Sequence, residues 1–217
     1  MTFQIVLDAS TSFSVNTRRI VGQQVARSGQ VRTAEYLSSV PWVFTVTMMA
    51  YGYYPTARFF IQNIDNLDRL STDTLRFSSS TLSWFTKYQG DLTDAQRNAL
   101  TLAAVPPANS KIISVGNLPS VAVGAFIFKQ GDFIQLGLYP YKVAYDVVRG
   151  SGSTVSVTLH RSVIGTVSTG TLTATASDCV WTVVAERCPT YTLNPMTNGA
   201  FIQWDGDFVF REAVGMT

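Results

Sequence analysis

With 217 residues, 46% of them hydrophobic, the chain can bury one large all-β core or two small ones. Charged residues make up only 14% and the formal net charge is +2, which leaves no bulk electrostatic case for nucleic acid or an anionic membrane as partner. No apolar run approaches the ~18 residues that span a bilayer, and the start, MTFQIVLD, lacks the positive beginning and long apolar centre of a signal peptide, so a soluble product made inside the cell, without membrane insertion, is expected.

Apolar residues recur with period two through most of the chain, which predicts a mainly β fold. A first strand is expected over 2–7. Between Asp8 and Glu35 there is no acid, whereas Arg18, Arg19, Arg27 and Arg32 fall in RRIVGQQVARSGQVR, read as strands at 19–27 and 30–37. Three readings of this ribbon stand side by side. It can grip a neighbouring subunit through bidentate guanidinium contacts, line a channel that passes nucleic acid, or be an exposed hairpin kept soluble by charge.

Residues 41–48, PWVFTVTM, place Trp42, Phe44, Val46 and Met48 on one side of a half-buried strand. Tyr51, Tyr53 and Tyr54 follow; with Tyr139, Tyr141 and Tyr145 they can stack sugars, anchor a protein interface or fill a core, and their strand periodicity favours the last two. From Pro55 the pattern changes: Ala57, Phe60, Ile61, Ile64 and Leu67 have the spacing of an amphipathic helix over 55–69. A shorter helix is expected at 93–101, where Thr93 and Gln96 have capping-box spacing, and VPPANS at 105–110 ends it.

Further strands are expected at 124–128, 132–136, 171–176, 180–186, 190–193, 200–204 and 207–213, and 142–149 with 154–160 reads as a hairpin around the GSGS tip at 150–153. The proline-rich link suggests two domains, a discontinuous one of 1–111 plus 186–217 and a β-rich one of 112–185 inserted in it. Gly-Asp-Phe occurs twice, at 131–133 and 206–208, each expected to start a strand: glycine for the turn, aspartate for the backbone donors, phenylalanine for the core.

Little points to chemistry. His160 is the sole histidine and no nucleophile-elbow motif accompanies it, so it reads as a strand-end residue at the surface. The pairs Asp205/Asp207 and Asp65/Asp68 read as turn and solvated-helix residues rather than as carboxylates facing across a cleft. Cys179 and Cys188 stand nine apart with no CxxC and no neighbouring histidine, so two free thiols are expected and no zinc site. Phosphate-cradle and standard metal motifs are missing from the sequence, and the expectation is a non-enzyme without metal or cofactor.

Taken as a set, the arginine- and glutamine-rich segment, the Trp/Phe-Thr-Val strand, the proline-started helix, FIFKQGDFIQLGLYPYKVAYDVVRGSGSTVSVTLHR at 126–161 and CPTYTLNPMTNGAFIQWDGDFVFREAV at 188–214 resemble the structural tail and baseplate proteins of tailed bacteriophages. Within that group the likeness is to a distal-tail or baseplate-hub subunit. The resemblance implies a β-barrel or sandwich of tail-tube kind with one or two packed helices and a projecting inserted small β-barrel domain. It also implies assembly as a ring, commonly a hexamer, joined to tail-tube and baseplate proteins in the virion, with DNA passing through the lumen without specific binding. The low charge and abundant hydroxyls suit surfaces that are permanently covered. A carbohydrate-binding β-module that recognises host-surface glycan is the alternative.

Overall fold

The computed structural model describes residues 2–18, 21–25, 27–35, 40–48, 52–67, 71–170, 172–174, 178–196 and 199–215. The expected class is what it shows: a mainly β protein of antiparallel sheets with few helices. Its contacts divide it into two compact units, Met1–Asn16 with Pro41–Leu82 and Val180–Thr217, and Thr17–Val40 with Ser83–Cys179.

The chain opens with helix α1 (Thr2–Asp8), not the strand expected there. Phe3, Val6 and Leu7 are buried while Ile5 and Asp8 are exposed, which is a helical face; the β-branched content of the segment favours a strand only if that spacing is ignored. The Phe3 N–H donates to Asp73 Oδ2 at 3.0 Å, and the Gln4 side-chain amide exchanges hydrogen bonds with the backbone of Arg76. Strand β1 (Ser10–Asn16) follows, then the ribbon β2 (Val21–Val25) and β3 (Val31–Glu35), then β4 (Val43–Met48) and β5 (Gly52–Tyr53). Helix α2 (Tyr54–Leu67) lies where the periodicity predicts, with Ile61 and Ile64 buried. After it come β6 (Thr72–Leu75), α3 (Asp94–Asn98), β7 (Thr101–Leu102) and β8 (Ile112–Gly116). Strands β9 (Phe126–Phe128), β10 (Phe133–Leu136), β11 (Tyr139–Lys142), β12 (Val147–Val148) and β13 (Val155–Thr158) are short. The chain closes with β14 (Trp181–Arg187), β15 (Tyr191–Met196), β16 (Gly199–Trp204) and β17 (Phe208–Glu212).

The first unit is built on a five-stranded antiparallel sheet in the order β1-β4-β17-β14-β6. Its core is aromatic because alternate residues of β4, β14 and β17 point the same way. Trp181 stands edge-on to Trp42, Phe44 and Phe77, with ring centroids 5.9, 5.9 and 5.2 Å away, and Phe3 of α1 meets Phe210 at 4.7 Å. Buried Glu212 accepts the Trp42 N–H at 3.0 Å while its own N–H donates to the Trp42 carbonyl, closing the β4–β17 ladder at its end. A three-stranded sheet, β15-β16-β5, completes the unit, with α2 against β16.

In the second unit the strands form separate short antiparallel sheets, β13-β8-β7, β12-β9 and β10-β11, rather than one continuous barrel sheet, around an apolar core that includes Ile127, Ile134, Tyr141 and Val157. The borders fall at 82/83 and 179/180 rather than at 111/112 and 185/186. Leu92, Leu100 and Leu102 belong to this core, and β14 lies inside the five-stranded sheet of the first unit. The ribbon β2–β3 also belongs to the second unit. Only the base of the expected 142–160 hairpin forms, through a bridge between Val143 and Leu159. Strand β13 pairs instead with β8, which buries Val115 and Val157 together, and the Arg149 guanidinium donates to the Gly150 and Gly152 carbonyls to fold the GSGS loop on itself. Of the strand expected at 171–176, Thr173 bridges to Gln135, while 171, 175 and 176 lie outside the described residues.

Candidate functional site

The described candidate residues make contacts that hold the fold together. His160 is half-buried, its Nδ1 accepts the Lys142 N–H at 2.9 Å, and its ring meets Tyr141 edge-on at 6.2 Å, so the imidazole fastens two strands. Arg161 beside it is buried and donates to the carbonyls of Val40 and Pro140, both at 2.8 Å. Asp205 accepts from the Thr190 and Thr192 hydroxyls, its N–H donates to the Thr190 carbonyl, and Asp207 is half-buried two residues on. Asp65 is exposed on α2, and Asp68 lies outside the described residues. Among the described residues no group of three or more His, Cys, Asp or Glu side chains could hold a metal ion. Cys179 and Cys188 are not joined in a disulfide; burial, helped by the nearby Asp178 charge, pushes the Cys179 thiol up to about 12.

The two Gly-Asp-Phe phrases differ. Gly131 has φ +95°, Asp132 is fully buried, and Phe133 begins β10. Asp132 accepts from the backbone N–H groups of Gln89 and Lys129 at 2.9 and 2.8 Å, tying residues 88–92 to the β9–β10 turn. Burial pushes its carboxyl above the ordinary range, opposed by those same donors and by Arg97. In the same knot the Tyr88 hydroxyl donates to the Ile127 carbonyl at 2.6 Å, Arg97 lies 4.1 Å over its ring, and burial raises the phenol to about 12. In the second phrase, Gly206 has φ +149° and Phe208 begins β17, but the residue that fastens the turn is Asp205, ahead of the glycine.

The arginines are only partly assembled by the fold. Arg18 and Arg27 are exposed, Arg27 in the turn between β2 and β3; Arg32 pairs through its backbone with Gln24, and Arg19 lies outside the described residues. The tyrosines form no common row: Tyr141 is fully buried and its hydroxyl accepts the Ile164 N–H, Tyr139 is half-buried and Tyr145 is exposed, while Tyr51 lies outside the described residues.

Two features of the first unit are receptive surfaces. The sheet β15-β16-β5 has one side toward α2 and one open. Register places Tyr53, Phe201, Asn194 and Met196 on the open side together with Thr192 and Gln203, and Tyr53, Met196 and Phe201 are exposed. A shallow groove runs across Asn194, Met196, Phe201 and Gln203. On the other side, a cavity of about 440 Å³ opens between Ile61, Ile64 and Asp65 of α2 and Cys188, Thr190, Tyr191 and Trp204. Tyr191 and Trp204 are cross-strand partners whose rings meet edge-on at 5.5 Å. Neither surface is foreseeable from motifs; the signal was the alternation in 190–204, which leaves large apolar residues on both faces of one sheet. No protein-family model and no curated protein matches the chain. Among the described residues no helix is long and apolar enough to cross a membrane.

Proposed function

We propose that the chain is a structural subunit of the tail tip or baseplate hub of a tailed bacteriophage, which forms a ring with copies of itself and joins the tail tube to baseplate components. The observation that carries this reading is the open face of β15-β16-β5. Three large apolar side chains, Tyr53, Met196 and Phe201, stand on it with the uncharged Thr192, Asn194 and Gln203 between them. An apolar patch rimmed by amides and hydroxyls is a surface that another protein covers at small desolvation cost. Among the described residues the sheet order leaves β15 as an edge with one partner, and ring closure is a way to occupy such edges. Light scattering and negative-stain imaging over a range of concentrations, alone and with purified tail tubes, test the reading: closed rings, or rings capping tube ends, are expected, and a chain that stays monomeric in both settings overturns it.

A glycan-binding role has one observation in its favour. Trp84 and Tyr145 of the second unit are 64% and 67% exposed, and such rings stack on sugars. Glycan-array binding by a monomeric protein that is lost on Trp84→Ala would replace the ring reading with this one.

A further inference from the structure

The turn of the β2–β3 ribbon and the cavity beside α2 are chemical complements. We infer that Arg27 of one copy seats in the cavity of a second copy, its guanidinium against Asp65 and the rings of Tyr191 and Trp204; the inference rests on the ring reading above and names its contact.

The cavity asks for a cation. Its charged lining residue is Asp65, in the last turn of α2, and no basic residue stands in that turn of the 14-residue helix. The C-terminal end of a helix adds negative potential at the same place. Ile61 and Ile64 give the wall an apolar part against which the aliphatic stem of an arginine can pack. Tyr191 and Trp204 are half-buried ring partners of the kind over which a planar guanidinium is held better than an ammonium. About 440 Å³ falls within the ~300–1,000 Å³ of pockets that enclose a ligand group.

The ribbon supplies the cation. Arg27 is exposed in the turn that joins Val25 to Val31, and Val25 beside it is 67% exposed, so the tip presents a cation with an apolar shoulder. No acid occurs from residue 9 to residue 34 to compete for it. Strands β2 and β3 pair only with each other among the described residues, and a two-stranded hairpin is marginal in water until something covers it.

The test is a charge exchange in the full-length chain. Arg27→Glu and Asp65→Arg are each expected to weaken self-association about tenfold, the change that corresponds to about 1.4 kcal/mol. The double variant, which restores opposite charges across the contact, is expected to regain most of it; circular dichroism checks that all three fold. A second arm keeps Arg27 and places a thiol beside it at the ribbon tip with Ser28→Cys, then adds a short bismaleimide, which bridges it to native Cys188 in the cavity wall. Covalent dimers and higher ladders are expected, and a Ser151→Cys control in the exposed 150–153 loop should give none. Rings that form equally well in all charge variants, a double variant no better than the singles, or a bridge closed within one chain would overturn this contact while leaving the ring reading standing. A wild-type chain that never associates overturns both.

Discussion

Asp132 ties two stretches of backbone together. It is a fully buried carboxyl with a raised pKa, and its oxygens accept from the backbone N–H groups of Gln89 and Lys129. Removing them with Asp132→Ala strands both donors and should lower unfolding stability by about 3 kcal/mol in urea melts. The pH dependence follows from the direction of the shift. Because the folded pKa lies above the unfolded value of 3.8, the folded state holds the proton more tightly, so the contribution is complete below pH 3.8 and is lost as pH rises through the folded pKa. Asp132→Asn has no proton to lose, so the wild-type advantage over it should shrink with rising pH across that window; a constant difference would show a carboxyl solvated as in water. Sequence alone pointed to Asp132 as a turn residue serving backbone donors, since Gly-Asp-Phe carries that role locally. It pointed with equal force to Asp207, where the clamp is Asp205, because which aspartate meets Thr190 and Thr192 depends on a strand register set 15 residues away.

At the level of elements, α1 is the instructive case. In a strand, Phe3, Ile5 and Leu7 would share a face; in the helix, Phe3, Val6 and Leu7 do, and Ile5 looks outward. Val6→Ser should therefore destabilise the protein by about 2–3 kcal/mol and Ile5→Ser by less than about 0.5 kcal/mol, and chemical denaturation that ranked them in the opposite order would return the segment to a strand. The start of helix α3 was legible, because its cap is local, but the helix stops at Asn98, short of the expected 101, where Thr101 pairs into β7 instead. The Thr93 side chain accepts the Gln96 N–H, and the Gln96 side chain accepts the Thr93 N–H at 2.9 Å. Thr93→Ala should cost about 1 kcal/mol, read as a lowered midpoint in thermal melts. The 142–160 hairpin lies between these cases: its turn signal was real, but β8 offered β13 more burial than its sequence neighbour did, and burial outweighs proximity.

For the molecule as a whole, the question is what covers the open face of β15-β16-β5. Substituting Met196 and Phe201 together with Ser removes apolar surface that is already partly in water, so the unfolding free energy should move by less than about 1 kcal/mol. Association should fall by tenfold or more if the face is buried between subunits, as sedimentation velocity would measure. Equal association by the variant and the wild type would move the interface elsewhere.

Periodicity, capping spacing and composition by themselves determined the mainly β class, α2, α3, most of the strands after 120 and a weakly charged surface, because each depends on residues only a few positions apart. Tertiary structure alone decided the borders of the two units, the partner of each strand and the cavity where Asp65, Tyr191 and Trp204 meet. The physical reason is range. A helical face or a turn is paid for within its own segment, whereas strand partners and cavities are settled by competition for burial among segments far apart in the chain, and no local pattern records which of them wins.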